Sequence, residues 1–455
     1  MLKHIHQGIL CSISKNTSGD IFLNHHKLQQ VLWPLLVLAV AACSSESNGV
    51  SSGSSGSNTQ PSGLSCNSNS NAADGARWMS AWGVTHVTGT APVETTVRNI
   101  ARVTASGNAV RIRFINLSDQ PMQIGAAAVG LREGATGANL KLNTSKVVTF
   151  NCGQTSATIP PQTESFYSDP IAFKVNNQDD LAVSLYVKGA DNPGEFGATW
   201  IESYKLPNGS GNQTLEDSGA GYGLIDETRF STPPGLPIMC NGCTVYALRD
   251  IEVLTKDAKG AMVFLGSSSF HGFNTSQNGF KRISDLLSVR MLNEIPQGQR
   301  DTIVNRGIGG DTLQNASATR LERDVFDTVG VSSVVVWVTN DLSSRSADEI
   351  IANYQEVIEQ AHAKGINVYC PTWIPGAQSS QANLNGERAK LNDWVLNSGE
   401  CDGVADYNGE VEAPGGLTFL PQYNSGDFIH SNDAGHELWA AATPLSEWVS
   451  KAKPR

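Results

Sequence analysis

The fold is decided by the stretch AMVFLGSSSFHG, residues 261–272, in which an apolar run ends in a turn of glycine and serine. Short apolar runs of the same kind recur at residues 303–304, 334–337 and 366–369. Short runs that are rich in β-branched residues are typical of strands buried on both faces. Helical stretches lie between these runs, so the sequence predicts a parallel sheet with helices on both sides.

The clearest of these helices begins at Ser346, where Glu349 completes a capping box. Its apolar side follows at helical spacing: Ile350, Ile351, Tyr354, Val357, Ile358 and Ala361. Gly365 is a favoured residue at the end of a helix. Because open sheets of this class bind ligands at the carboxyl ends of their strands, we expect the chemistry directly after the predicted strands.

The residues before 256 follow a different period. The stretch VRIRF, residues 110–114, alternates apolar and charged side chains, which predicts a half-buried strand. Residues 181–187 repeat this alternation, and clusters of Gly, Pro and Asn separate such stretches at short intervals. The pattern predicts an antiparallel β-sandwich over residues 77–255.

The N-terminal residues predict export. The apolar run 31–42 is shorter than the roughly 20 residues of a membrane span and fits a secretory signal. It ends in VAAC, residues 40–43, which resembles a bacterial lipobox, and that resemblance implies acylation of Cys43. The alternative is an ordinary signal peptide with a chance cysteine. Residues 1 to about 24 lie unusually far upstream and suggest that the start codon is assigned too early.

Residues 44–76 predict a flexible linker, since two thirds of them are Ser, Gly or Asn and only Glu46 and Asp74 are charged. Together with a signal peptide over residues 1–43, this linker predicts an exported bacterial lipoprotein held at the cell envelope. Ser44 rather than Asp after Cys43 favours the outer membrane or the cell surface.

The charge balance and the cysteines narrow the classes of function. With 32 Lys and Arg against 43 Asp and Glu, the net charge is −11, which argues against nucleic acid as a partner. Six cysteines remain after the leader: Cys66, Cys152, Cys240, Cys243, Cys370 and Cys401. An even number in an exported protein favours disulfides over a metal site. We expect a local Cys240–Cys243 bridge, which Cys370–Cys401 and Cys66–Cys152 would complete, although sequence fixes no connectivity.

Four short motifs lie where chemistry is expected. They contain Ser268, Gly310, Asn340, and the pair Asp427 and His430. Each has a plain structural alternative, since a glycine can make a turn, an asparagine can end a strand and a histidine can cap a helix. The glycine-rich stretch 305–312 lacks the lysine and the spacing of a phosphate-binding loop.

In their order along the chain, the motifs resemble those of the SGNH hydrolases, the esterase and lipase superfamily also called GDSL. Residues 320–325 and 361–366 are similar to a carbohydrate-esterase-like and arylesterase-like branch that carries an N-terminal β-domain. Residues 96–98, 110–113 and 168–170 are similar to segments of that β-domain. The resemblance implies a flavodoxin-like three-layer α/β/α hydrolase domain at 256–455, preceded by a β-sandwich accessory domain at 77–255.

Residue by residue, the resemblance makes Ser268 the nucleophile, His430 its general base and Asp427 the partner that orients His430. The backbone N–H groups of Ser268 and Gly310 and the side-chain amide of Asn340 would form the oxyanion hole. A serine hydroxyl needs an imidazole within about 3 Å to take its proton, and that imidazole needs a carboxylate on its other nitrogen. No metal and no cofactor are implied.

The sequence departs from the family pattern at three positions. Ser267 stands where the family has aspartate, and Val338 stands where glycine is usual. That aspartate is a supporting residue, so its replacement predicts weaker preorganisation rather than the loss of a step. His271 stands where an acidic residue is usual, and we expect it to be a solvated loop histidine rather than a substrate contact.

The resemblance therefore predicts a serine esterase that cleaves acetyl or short acyl esters on polysaccharides. An aryl ester or a lipid is the alternative substrate. The alternative function is a catalytically weak or inactive SGNH-like lipoprotein that binds glycans. The expected partners are an ester substrate and, through the lipid anchor, a membrane.

Overall fold

A computed structural model describes residues 75–89, 91–189, 192–225, 242–376 and 382–453. The predicted signal peptide, Cys43 and all of the predicted linker except its last two residues lie outside these ranges. Within them, no helix combines the length and the apolar character that a membrane span requires.

Antiparallel strands make up the region before residue 256. They are β1 Arg77–Gly83, β2 His86–Gly89, β3 Thr95–Arg102, β4 Gly107–Asn116, β5 Met122–Leu131, β6 Lys146–Val148, β7 Ala157–Ile159, β8 Thr163–Tyr167, β9 Ile171–Val175, β10 Asp180–Val187, β11 Gly194–Ala198, β12 Tyr204–Lys205, β13 Gly223–Leu224, β14 Thr244–Tyr246 and β15 Leu248–Thr255. One sheet has the order β1-β15-β4-β8, with β9 on β4, and the other has the order β13-β12-β3-β10-β5-β6, with β7 on β5. A third, smaller sheet has the order β14-β11-β2.

One hydrophobic core joins the two larger sheets. It contains Val110 and Ile251 from the first sheet and Val129 and Val183 from the second. Side chains of both inner faces in one core define a β-sandwich, as the sequence predicts.

The second region is a parallel α/β domain. Its strands are β16 Ala258–Gly266, β17 Arg300–Gly307, β18 Val331–Trp337, β19 Asn367–Pro371 and β20 Gly403–Ala405. Its helices are α1 Ser268–His271, α2 Ile283–Glu294, α3 Leu313–Asn315, α4 Ala347–Ala363, α5 Ala382–Asn397, α6 Tyr407–Val411, α7 Asp433–Ala442 and α8 Leu445–Lys451. A π-helical segment, Ala316–Phe326, continues α3, and short 3-10 turns cover Asp341–Ser343 and Pro421–Tyr423. The strand order β17-β16-β18-β19-β20 is the flavodoxin-like order that the resemblance implies.

Helix α4 forms where the sequence predicts it. The Ser346 hydroxyl accepts the N–H of Glu349, and the Glu349 carboxylate accepts the N–H of Ser346 at 2.9 Å. The helix ends at Ala363, and Gly365 follows with a left-handed φ of 68°. The capping box and the glycine therefore set both ends, as expected.

Strand β4 differs from its prediction, because its charged face is buried rather than solvated. Arg111 is 5% exposed and Arg113 is fully buried. The Arg111 Nε lies 2.5 Å from the Glu252 carboxylate, and the Arg113 Nη1 donates to the backbone carbonyl of Asp327 at 2.8 Å. Since Asp327 belongs to the α/β domain, that domain covers the face that an isolated sandwich would expose.

The predicted Cys370–Cys401 disulfide is present and joins β19 to the loop before β20. Cys152 and Cys243 are also disulfide-bonded. Their predicted partners, Cys66 and Cys240, lie outside the described residues.

Candidate active site

Ser268 lies just beyond the carboxyl end of strand β16, which β17 and β18 flank, and it is the first residue of the short helix α1. The backbone of Gly307, at the end of β17, packs against α1. A Cβ added to Gly307 would lie 2.3 Å from the backbone nitrogen of His271. Only glycine allows this close approach. Because Ser268 opens a helix, its N–H has no acceptor within that helix.

The structure brings Ser268, His430 and Asp427 together in one chain of hydrogen bonds. The Ser268 Oγ lies 2.8 Å from the His430 Nε2, and the His430 Nδ1 lies 2.6 Å from the Asp427 Oδ2. Ser268 and His430 are 8% and 9% exposed. A neutral imidazole that donates through Nδ1 to the carboxylate leaves Nε2 to accept the serine proton.

Hydrogen-bond donors surround the Asp427 carboxylate. Its Oδ1 accepts the N–H groups of Ile429 and His430 at 2.9 and 2.8 Å and the Ser425 hydroxyl at 2.9 Å. Its Oδ2 also accepts the Asn274 side-chain amide at 2.8 Å. Burial alone would raise the pKa of Asp427, but the hydrogen bonds from His430 and Ile429 outweigh it and hold that pKa well below its ordinary value. The carboxylate is therefore ionised at neutral pH.

Asp427 and His430 lie in an irregular loop rather than on a helical turn. Phe428 between them has a φ of 61°, which non-glycine residues seldom adopt. The next helix, α7, is capped by Asn432, whose side chain accepts the N–H of Gly435. The alternative role of His430 as a helix cap is therefore wrong. Phe428 and Ile429 point outward and are 55% and 43% exposed.

Gly310 and Asn340 lie at the ends of the two strands that flank β16. Gly310 is exposed and has a φ of 81°, a conformation that glycine adopts without strain. Its backbone N–H has no acceptor among the described residues. The Asn340 Nδ2 donates to the carbonyl of Asp311 at 2.7 Å, so the Asn340 amide lies against the loop that contains Gly310.

The family's missing aspartate is replaced by a buried serine that connects two strand ends. The Ser267 Oγ lies 3.3 Å from the Thr339 Oγ1 and accepts the Thr339 N–H at 3.4 Å. Ser267 is fully buried, as is Val338, the other departure. Ser267, which precedes Ser268, is thus hydrogen-bonded to Thr339, which precedes Asn340.

The expectation of a solvated His271 is wrong, because the β-sandwich covers this side chain. His271 is 3% exposed, and its Nε2 lies 2.9 Å from the Thr199 carbonyl of the sandwich. Burial lowers the pKa of His271 to about 3, so the ring is neutral. Its ring packs edge-on against Trp200 and near Phe273, and the Phe273 ring lies 5.2 Å from that of His430.

Asn274, Trp200 and Phe273 are residues around the site that the sequence did not reveal. Asn274 donates to Asp427 across 153 positions and Phe273 packs near His430, whereas Trp200 packs against Phe273. Within the described ranges, no group of three or more His, Cys, Asp or Glu side chains is placed to hold a metal ion.

A hydroxyl, an imidazole and a carboxylate linked in this order recur in serine-type acyl hydrolases of several unrelated folds. Residues 264–438 match the sequence model of the GDSL-like lipase/acylhydrolase family. Most of the α/β domain is thus a GDSL-like lipase/acylhydrolase domain by this match, and that family acts on ester bonds.

Solved structures of this kind also align with the chain. A putative acylhydrolase from Bacteroides fragilis is 20% identical, with 43% of this chain and 87% of that chain covered and a TM-score of 0.33. A lipase/acylhydrolase from Enterococcus faecalis is 19% identical, with 43% and 98% covered and a TM-score of 0.34. No curated protein matches the chain.

Proposed function

We propose that the protein is a serine esterase in which Ser268 is the nucleophile, His430 the general base and Asp427 the group that orients His430. The observation that carries this proposal is the continuous hydrogen-bond chain from the Ser268 Oγ through both nitrogens of His430 to Asp427. A hydroxyl alone is a weak nucleophile at neutral pH, and this chain supplies the base that activates it.

The reaction proceeds in two steps through an acyl-enzyme. The Ser268 Oγ attacks the ester carbonyl carbon while its proton passes to the His430 Nε2, and the carbonyl oxygen becomes an oxyanion. The bond to the alcohol then breaks, and His430 returns the proton to the leaving alkoxide. Water attacks the acyl-enzyme in the same way, so that the acid leaves and Ser268 regains its proton.

The oxyanion hole consists of the N–H groups of Ser268 and Gly310 and the side-chain amide of Asn340. Two geometric features support this assignment: Ser268 opens a helix, and the Gly310 N–H has no acceptor among the described residues. The Asn340 amide has two N–H groups, and the one bonded to Asp311 holds the amide in place. Preorganised donors of this kind stabilise the developing charge without reorganisation.

The substrate is an acetyl or short acyl ester on a polysaccharide. A surface depression of about 470 Å³ beside Asn274, the residue that donates to Asp427, supports this choice, because five of its six lining residues have side chains that can hydrogen-bond to a carbohydrate. It is lined by Asn274, Thr275, Ser276, Asn432, Asp433 and Ala434. The exposed Phe428 and Ile429 favour the second candidate, an ester with an aryl or longer acyl group.

The enzyme is held at the cell envelope by a lipid on Cys43, with residues 44–76 as a tether. The lipobox-like stretch VAAC and the Ser-, Gly- and Asn-rich composition of the tether support this location. Replacing Cys43 by Ser is expected to move the protein from the membrane fraction to the soluble fraction of the cell envelope. Retention in the membrane fraction would contradict the anchor.

The decisive test compares Ser268→Ala with Ser269→Ala, which removes the neighbouring hydroxyl on the same short helix. Ser268→Ala is expected to abolish both the hydrolysis of p-nitrophenyl acetate and labelling by a fluorophosphonate, whereas Ser269→Ala retains both. Turnover by Ser268→Ala at the wild-type rate would refute the nucleophile. A wild-type protein that is not labelled and binds acetylated xylan without hydrolysing it would instead support the glycan-binding alternative.

A further inference from the structure

A buried ionic network joins the β-sandwich to the α/β domain. Arg306, near the end of β17, is fully buried, and its Nη2 donates to the Asp250 carboxylate of β15 at 2.5 Å. The Thr85 hydroxyl of the sandwich donates to the Asp324 carboxylate of the π-helical segment at 2.6 Å. Asp250 and Thr85 of the sandwich thus bind Arg306 and Asp324 of the α/β domain.

Arg320 carries this network to that loop. Its Nε donates to the Asp324 Oδ2 at 2.8 Å, and its other two nitrogens donate to the Asp311 carboxylate and to the carbonyl of Arg306. Arg320 is 5% exposed and Asp311 is 7% exposed. The planar guanidinium can satisfy all three acceptors at once, which an ammonium at the end of a flexible chain cannot do with the same geometry.

Asp311 adjoins two of the three proposed donors of the oxyanion hole, Gly310 and Asn340. It directly follows Gly310, and its carbonyl accepts the Asn340 Nδ2 at 2.7 Å. The Asn315 Nδ2 donates to the other oxygen of the Asp311 carboxylate at 2.6 Å. A shift of Asp311 would therefore displace the Gly310 N–H and release the Asn340 amide together.

We propose that Arg320 is a positioning residue for the oxyanion hole, and that the β-sandwich holds Arg320 in place through Thr85 and Asp324. This inference rests on the proposed function, because it assigns to Arg320 a role in the same site. Arg320 acts through Asp311 and does not touch the reacting atoms. The β-sandwich is therefore part of the catalytic apparatus.

The first test compares Arg320→Lys with Arg323→Lys. Arg323 donates to the same Asp324 carboxylate, at 2.7 Å to Oδ1, so its variant controls for a weakened ion pair. Because loss of one oxyanion donor costs about 10²–10³ in kcat, displacement by Arg320→Lys is expected to lower kcat on p-nitrophenyl acetate about 10- to 100-fold, with little change in KM. The kcat of Arg323→Lys is expected to stay within about three-fold of that of wild type, because this variant leaves the bond between Arg320 and Asp311 in place.

The second test examines the contribution of the sandwich. Thr85→Val removes the hydroxyl that holds Asp324, whereas Thr85→Ser keeps it. We expect Thr85→Val to lower kcat by a smaller factor than Arg320→Lys, and we expect Thr85→Ser to restore it. Equal kcat in the two Thr85 variants would overturn the role assigned to the sandwich.

Hydrogen exchange of the peptide covering residues 308–315 provides a readout that does not depend on activity. Exchange in this peptide should rise in Arg320→Lys, while exchange in peptides of β16 stays the same. Unchanged exchange in 308–315 and unchanged kcat would overturn the proposal for Arg320. The proposed function fails separately, if Ser268→Ala retains turnover or if the wild-type protein has none.

Discussion

Replacement of Asp427 by Asn tests the role of the carboxylate with the least change in shape. Each Asp427 oxygen accepts at least two hydrogen bonds, from the His430 ring and Asn274 on one side and from Ser425 and two backbone N–H groups on the other. Whichever way an amide is placed, its NH₂ faces donors. When the NH₂ faces His430, it donates to Nδ1 and forces the ring proton onto Nε2. The protonated Nε2 can then no longer accept the proton of Ser268.

This tautomer change sets the size of the effect. We expect Asp427→Asn to lower kcat by about 10³–10⁴, as loss of the orienting carboxylate does in a serine hydrolase, with a small change in KM. Loss of hydrogen bonds to a charged acceptor should also reduce the free energy of unfolding by about 1.5–3 kcal/mol.

The assay is p-nitrophenyl acetate hydrolysis at pH 7–8, with thermal unfolding followed in parallel. Asp402→Asn is the matched control, because the Asp402 Oδ2 lies 2.8 Å from a histidine ring, that of His362, and accepts the Val368 N–H at 2.7 Å, at the opposite ends of the strands from the site. Its kcat should stay close to that of wild type. A kcat of Asp427→Asn within ten-fold of wild type, in a folded protein, would refute the assigned tautomer.

Three further predictions concern the amide donor, a disulfide and a buried acid. Asn340→Ala should lower kcat about 10²–10³-fold while KM changes little, as steady-state kinetics will measure. Cys370→Ser should reduce the free energy of unfolding by about 3–4 kcal/mol in denaturant titration, because it opens a loop that spans 31 positions. Burial raises the pKa of Asp301 to about 7, so the stability that its protonated form provides is lost as the pH rises from about 4 through 7. Asp301→Asn should therefore raise the melting temperature at pH 8 and flatten its pH dependence.

Local patterns predict the parts of this fold that local forces determine. The capping box of Ser346 and Glu349 sets the start of α4, because both partners lie within one helical turn. The three-residue spacing of Asp427 and His430 likewise allows their hydrogen bond. Strand β20, Gly403–Ala405, was not predicted, because three residues show no periodicity.

Contacts between distant segments were not predictable from pattern. Arg113 has the alternation of a solvated strand face, yet it is buried because Asp327, 214 positions away, folds over it. The sequence around His271 predicts a solvated loop residue, but Thr199 and Trp200 cover it in the fold. Nothing near Thr85 in the sequence indicates Asp324 as its partner, since the two are 239 positions apart.

The pairing of Arg306 with Asp250 has a consequence for how the chain can be divided. A fragment that begins at residue 256 would keep the Arg306 guanidinium but lose the carboxylate that neutralises it and the Val84 carbonyl to which it also donates. Removing the sandwich would leave this guanidinium without these two acceptors and would uncover the surface around it, so such a fragment would be less stable. The β-sandwich and the α/β domain are therefore not independent units, and recombination with relatives would have to exchange both regions together.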